Sequence, residues 1–324
     1  MSQIIKYYKK FLIQNFFYFP VWILRLIFPQ IRTRIRGSKI DFQSYAYIRL
    51  NPESTLYKIE DKDLPKIRKV IERNKINSKL SLRPNKRVLT KDHYVFNKHE
   101  NDQMLLREYI PNKVDSDKII LFFHGGGWTI DSVETYDDMV KYFSDYLNMK
   151  IYSFEYSLAP EKKFPNALKE AEDIYKWFIK NGTPANQISL FGDSAGAHMV
   201  GSLVYKLAKH DSDMPNSLLM LYPPCDPLFQ SESISLLKDK YFLLHADLAW
   251  FWDKFKQNKA DENDPMFNLL KFDLNKAFPS TILVTGGFDP ICDEGAQYAN
   301  LLKNKNTNIK LLNYPTLFHN FAFM

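Results

Sequence analysis

Residues 188–196 read Ile188-Ser189-Leu190-Phe191-Gly192-Asp193-Ser194-Ala195-Gly196. An apolar run meets a turn of small residues, and Ala195–Lys209 continues with helical character, so the chain passes from strand to helix at a serine. A serine on so sharp a turn sits on strained backbone with its hydroxyl raised above the sheet. Glycines two residues to either side let neighbouring chain pass close. The helix N-terminus behind the turn favours negative charge developing beside the hydroxyl.

Upstream, a second apolar run, Ile119–His124, ends in His124-Gly125-Gly126-Gly127-Trp128. Three consecutive glycines are entropically costly, and bare backbone N–H groups approaching a substrate oxygen give a reason for them. Such donors form an oxyanion hole, and losing one costs about 10²- to 10³-fold in rate. No Lys-Ser/Thr follows, so the run is not a phosphate-binding P-loop. His124 is expected to shape this loop rather than to react.

A hydroxyl attacks only when a base removes its proton and an acid orients that base. Of the histidines beyond Ser194, His198 and His210 fall on the following helix and His245 lies in the insertion between Asp226 and Phe267. His319 follows the last apolar run, in Pro315-Thr316-Leu317-Phe318-His319. The acid is expected after the preceding strand, at Asp289 in Gly286-Gly287-Phe288-Asp289. Asp226, after Leu221-Tyr222-Pro223-Pro224-Cys225, competes for that role. Asp193 is expected to cap or brace the serine turn.

The strands expected are Met104–Ile110, Ile119–His124, Lys150–Tyr156, Ile188–Gly192, Ser217–Pro223, Thr281–Gly286 and Asn308–Tyr314. Between them lie helical stretches at Val133–Leu147, Asn166–Asn181, Ala195–Lys209 and Cys292–Lys303. Continuous apolar strands such as Ile119-Ile120-Leu121-Phe122-Phe123 indicate a sheet buried on both faces and mostly parallel. The alternation predicts a three-layer α/β sandwich with helices on both faces. Asp226–Phe267 breaks the rhythm and reads as an insertion over the carboxyl ends of the strands, with a helix over Lys240–Phe255. Asp61–Lys98 is open to two readings, a mobile connection or an early edge strand and helix. The expected division is an N-terminal segment 1–40, a connection 41–103 and a catalytic domain 104–324.

The motifs resemble those of the hormone-sensitive-lipase-like branch of the α/β-hydrolases: His124-Gly-Gly-Gly-Trp128, Gly192-Asp-Ser-Ala-Gly196 and Tyr156-Ser157-Leu158-Ala159-Pro160-Glu161. In the third, serine stands where the family has arginine. Asp289-Pro-Ile-Cys-Asp-Glu-Gly295 is similar to the family's acid loop. The resemblance implies the α/β-hydrolase fold with a helical cap built from N-terminal residues and the insertion. It implies carboxylic ester hydrolysis without a cofactor, oxyanion donors at Gly126, Gly127 and Ala195, and the triad Ser194, Asp289 and His319. Ala197 and His198 depart from the family's glycine and asparagine. The chain ends shortly after His319, where relatives continue into a helix, so the last strand is expected to be less covered.

The function expected is that of a serine carboxylesterase or lipase, with Trp128, Trp250 and Phe251 contacting the substrate. An amidase or deacetylase with the same triad, and a non-catalytic binding protein on the same scaffold, are the alternatives. Aromatic residues at Tyr241, Phe242, Trp250, Phe251, Trp252 and Phe255 point to an apolar ester. Two cysteines, Cys225 and Cys292, among 324 residues support neither a disulfide framework nor a thiolate metal site.

Charge is unevenly placed. The first 40 residues hold eight basic side chains (Lys6, Lys9, Lys10, Arg25, Arg32, Arg34, Arg36, Lys39) and no acidic one, so the rest carries −1 against +7 overall. A nearly neutral body excludes nucleic acid as its partner. Phe11–Phe28 is aromatic and apolar but holds Gln14, Asn15, Pro20 and Arg25, and no small-residue cleavage site follows it. Residues 1–40 are therefore expected to meet an anionic membrane surface, or else to pack as part of the cap, with a cytoplasmic or membrane-associated location.

Overall fold

The computed structural model describes residues 20–28, 34–50, 56–78, 87–237 and 240–323. Much of the Phe11–Phe28 run lies outside them. Eight strands form one sheet: β1 Val88–Asn97, β2 Asp102–Pro111, β3 Ile119–Phe123, β4 Lys150–Phe154, β5 Ile188–Asp193, β6 Ser217–Leu221, β7 Ser280–Phe288 and β8 Ile309–Phe318. Their order is β1-β2-β4-β3-β5-β6-β7-β8. The pairs β1–β2 and β2–β4 are antiparallel, and every pair from β4–β3 to β7–β8 is parallel. This is the α/β-hydrolase architecture expected from the motifs.

The all-apolar strands follow from coverage on both faces. Ile119, Leu121 and Phe123 point to one side, into a core shared with helices α5 (Asn166–Lys180), α6 (Ala195–Lys209) and α9 (Cys292–Asn304). Ile120 and Phe122 point to the other, against α4 (Asp137–Leu147). All five are buried, as alternation on a doubly covered strand requires.

Of the two readings of Asp61–Lys98, the early strand and helix is the structure's. Helix α3 spans Leu64–Ser78 and β1 pairs with β2 along its length. The sheet therefore begins at Val88, ahead of the boundary expected at residue 104. On β1 only Val88, Val95 and Asn97 are buried, and its other apolar residues, Leu89, Tyr94 and Phe96, are exposed, so the edge strand shows no regular alternation.

Two shorter N-terminal helices precede α3: α1 (Val21–Ile27) and α2 (Phe42–Leu50). The latter begins where the Asp41 N–H donates to the Thr316 carbonyl at 2.8 Å, and Tyr47 stacks on Phe318. Among the described residues no helix is long and apolar enough to cross a membrane.

The insertion contains α7 (Glu232–Leu237) and α8 (His245–Phe255). The helix expected from Lys240 starts only at His245, because Tyr241 and Phe242 have φ of 60° and 80°, incompatible with a right-handed helix. From α8, Trp252 and Phe255 join Trp128, Phe267 and His198 in one aromatic cluster, with Trp128 and Phe255 stacked at 4.4 Å. The connection 41–103 meets the same helix, through the Lys254–Asp61 ion pair and the Tyr57 N–H on Asp247.

Phe122 lies between Tyr136 and Phe191 with no exposed surface. Replacing it with alanine should cost about 3–5 kcal/mol, read as a lowered urea midpoint; a midpoint within error of wild type would contradict this packing.

Candidate active site

Because β3, β5, β7 and β8 run parallel, the residues after their last positions meet at one edge of the sheet. Ser194 follows β5 with φ 52° and ψ −118°, a region L-residues rarely adopt. The spacing of its glycines is steric. A Cβ on Gly196 would lie 2.0 Å from the Phe123 carbonyl oxygen, and one on Gly192 would lie 2.3 Å from that of Gly196. The turn is fixed further by the Ser194 N–H donating to the Leu221 carbonyl at 3.0 Å.

His319 follows β8 directly, with its Nε2 3.0 Å from Ser194 Oγ. Its Nδ1 lies 2.8 Å from Asp289 Oδ2. An ionised carboxylate only accepts, so Nδ1 carries the ring proton and the Nε2 lone pair faces the serine hydroxyl. Asp289 is fully buried and also accepts the Ile291 N–H at 3.0 Å. The edge of Tyr222 packs on the His319 ring at 4.8 Å, limiting its swing. Asp226, the competing acid, instead accepts the N–H groups of Leu228 and Gln230 and holds its own turn.

The glycine loop lies against the serine turn, where a Cβ on Gly196 would sit 2.6 Å from the His124 carbonyl oxygen. Among the described residues the N–H groups of Gly126, Gly127 and Ala195 have no intramolecular acceptor. The Gly126 carbonyl accepts the Thr129 and Ile130 N–H groups at 3.1 and 2.9 Å, closing the loop into a tight turn. Gly127 has φ 57°, and a Cβ there would strike Phe251 of α8 at 2.1 Å, so this ring lies directly on the loop. Trp250 packs on Phe251 at 5.2 Å. Trp128 is 1% exposed and sits inside the aromatic cluster, a wall behind the loop rather than an open lining. His124 donates from Nδ1 to the Gly125 carbonyl at 2.8 Å and stacks on Tyr156, in the shaping role expected of it.

The carboxyl groups around the serine are buried, and each has at least one hydrogen-bond donor. Asp193 has no exposed surface and accepts the hydroxyls of Tyr136 and Tyr222, the brace anticipated for it. Glu294 accepts the Cys225 N–H at 2.8 Å, and burial raises its carboxyl well above the usual range. Burial, with Asp289 and Asp293 nearby, pushes the Cys292 thiol up to about 12, so it stays protonated and is no rival nucleophile. His198 is buried in the aromatic cluster, where desolvation pushes its imidazole from 6.5 down to about 4. Its Nε2–H donates to the Phe267 carbonyl at 2.8 Å.

Two arginines escaped the sequence reading. Arg36 forks onto Asp293 at 2.6 and 2.8 Å beside the acid loop, and Arg68 of α3 reaches Thr129 and Ala159 beside the oxyanion loop. Both lie far from their partners in sequence, and no local pattern distinguishes them from the other basic residues.

A serine raised on a strand-to-helix turn, followed along the chain by an aspartate and a histidine on later parallel strands, defines an α/β-hydrolase site. The chain belongs to the α/β-hydrolase fold family, whose sequence model matches residues 120–323, and within it to the hormone-sensitive-lipase-like group. It is 28% identical to the carboxylic ester hydrolase LipN of Mycobacterium tuberculosis over 226 residues, 66% of this chain and 60% of that protein. It is 26% identical to the ethyl acetate hydrolase of Pseudomonas putida over 210 residues, 63% and 66% of the two. The match thus spans less than two thirds of each relative's length. A fungal esterase from Rhizomucor miehei superposes with a TM-score of 0.81 at 21% identity, covering 88% of this chain and 90% of that one. At that identity the likeness is one of fold.

Stability should respond to pH through two desolvated groups with opposite signs, His198 fully buried and Glu155 partly so. The unfolded chain protonates His198 near pH 6.5 and the folded one only near 4, so stability is lost as pH falls across that window. Burial pushes Glu155 from 4.5 up to about 7, so its folded form keeps a proton the unfolded chain releases, and stability is lost as pH rises across that range. Melting temperatures between pH 4 and 7 should fall less steeply on acidification in His198→Asn than in wild type, and more steeply in Glu155→Gln. Unchanged slopes in both would mean that neither group is desolvated.

Proposed function

We propose that this chain is a serine carboxylesterase acting on apolar carboxylic esters through an acyl-enzyme intermediate, with Ser194, His319 and Asp289 as its triad. The observation that carries the reading is the unbroken line of hydrogen bonds from Ser194 Oγ through His319 to fully buried Asp289. The names of the two relatives, both concerned with carboxylic esters, support it.

In the first half-reaction His319 Nε2 takes the proton as Ser194 Oγ bonds to the ester carbonyl carbon. The carbonyl oxygen becomes an oxyanion that accepts from the N–H groups of Gly126, Gly127 and Ala195, which need no reorganisation to meet it. His319 then gives its proton to the departing alkoxide, leaving the acyl group on Ser194. In the second half-reaction His319 deprotonates water, which attacks the acyl carbon, and Ser194 leaves with the proton returned from Nε2. Asp289 holds Nδ1–H throughout and stabilises the transient imidazolium.

Preference for an apolar ester is supported by Phe251 on the oxyanion loop with Trp250 beside it. Association with an anionic membrane surface is supported by the basic first 40 residues and by α1, where Trp22 and Leu26, one turn apart, are 65% and 79% exposed. A surface-lying segment accounts for that combination better than a spanning one.

Against p-nitrophenyl esters of graded chain length, wild type should turn over and Ser194→Ala should lose about 10⁶-fold in kcat, as comparable knockouts do. Asp289→Asn should lose about 10⁴-fold through the wrong histidine tautomer. Turnover surviving in Ser194→Ala would overturn the assignment. In vesicle co-sedimentation, wild type should bind phosphatidylserine-containing vesicles more than pure phosphatidylcholine ones, and a Trp22→Ala/Leu26→Ala variant should bind less. Equal partition of variant and wild type would remove the membrane reading.

A further inference from the structure

We infer that Arg68 is a positioning residue for the oxyanion loop: a guanidinium carried on α3, outside the parallel part of the sheet, that holds the backbone whose N–H groups receive the substrate's negative charge. The inference rests on the ester-hydrolase reading above.

The loop's carbonyls are accounted for one by one. That of Gly126 closes the turn onto Thr129 and Ile130, and that of Gly127 accepts the Thr129 hydroxyl at 2.9 Å. That of Trp128 accepts the Ala159 N–H at 2.8 Å. The carbonyl of Thr129, a residue with no exposed surface, accepts from Arg68 Nε at 2.7 Å. The same guanidinium donates from Nη2 to the Ala159 carbonyl at 2.6 Å and forks onto Glu161 at 2.8 and 2.7 Å. Arg68 thus joins the two segments that meet behind the oxyanion hole, and Ala159 closes the circuit by returning its N–H to Trp128.

The chemistry requires arginine. Two carbonyls and a carboxylate, lying in different directions, need the planar fork of five donors, which one ammonium cannot reproduce. The Glu161 pair is partly solvated, with side chains 19% and 46% exposed, and adds little of its own. The bonds to the two carbonyls set the loop. Ser157 is engaged elsewhere, its N–H and hydroxyl both on Glu170, and among the described residues Arg68 is the guanidinium that reaches Glu161. Because a displaced oxyanion loop meets the carbonyl oxygen only as charge develops, the consequence falls on the transition state and not on substrate binding.

The test compares wild type, Arg68→Lys and Arg68→Ala on p-nitrophenyl butyrate, with a trifluoromethyl ketone as a mimic of the tetrahedral intermediate. Misplacing a reacting group by about an ångström costs about 10²-fold. We therefore expect kcat to fall about tenfold to hundredfold in both variants with KM within about twofold. The inhibition constant of the ketone should rise by the same factor, and free guanidinium ions should restore part of the Arg68→Ala rate where urea does not. Variants with wild-type kcat, or with lost kcat but unchanged ketone affinity, would overturn the assignment. Variants that fail to fold and regain nothing with guanidinium would make Arg68 a folding residue, which also overturns it. Wild type inert towards every ester removes the hydrolase reading itself, whereas an active wild type matched by Arg68→Lys removes only the positioning role.

Discussion

Ser194 is held at a backbone conformation it would not adopt alone, and the rest of the site depends on that constraint. The strain persists because the turn is wedged between β3 and α6 with no room to relax: any side chain at Gly196 would enter the Phe123 carbonyl. The strand below supplies a further tie through Leu221. Packing of a doubly covered sheet thus becomes the energy source that keeps one hydroxyl raised, with the amino end of α6 behind it.

Around this turn the protein buries three carboxyl groups and gives each a hydrogen-bond donor. Asp289 has the imidazole and a backbone N–H, Asp193 two tyrosine hydroxyls, and Glu294 the Cys225 N–H. Each partner is a neutral donor or a ring that shares its proton, so these hydrogen bonds replace part of the hydration that burial removes, while Glu294, whose Oε2 has no partner among the described residues, is driven by burial toward its protonated form. The neighbouring thiols stay protonated in the same surroundings, which leaves the serine as the nucleophile the geometry favours.

The segment ahead of the sheet is tied into this site at both ends. Arg36 reaches Asp293 and Glu232 beside the acid loop, and Arg68 reaches the backbone beside the oxyanion loop. The Asp41–Thr316 bond and the Tyr47–Phe318 stack fix the strand that delivers His319. A segment that reads as a connection is in the folded protein a strap across the carboxyl edge of the sheet, and α8 of the insertion lies against it.

The triad was legible in the sequence because each member sits next to a strand, and parallel strands bring their ends together whatever the spacing between them. Ser194 and His319, and the glycines of 125–127, could be read from residue type and order alone. Asp226 could not be separated from Asp289 that way, since both follow strands, and only the fold shows which carboxylate faces the imidazole. Strand β1 was hidden because its apolar residues are split between buried and exposed positions and make no alternating pattern, and the start of α8 because left-handed backbone at Tyr241 and Phe242 has no sequence signature in aromatic residues. Arg68 and Arg36 lay beyond reach for a different reason: their partners are backbone carbonyls and acids distant along the chain. Local chemistry written into strand ends and turns survives in sequence, whereas contacts between distant segments exist only once the chain has folded.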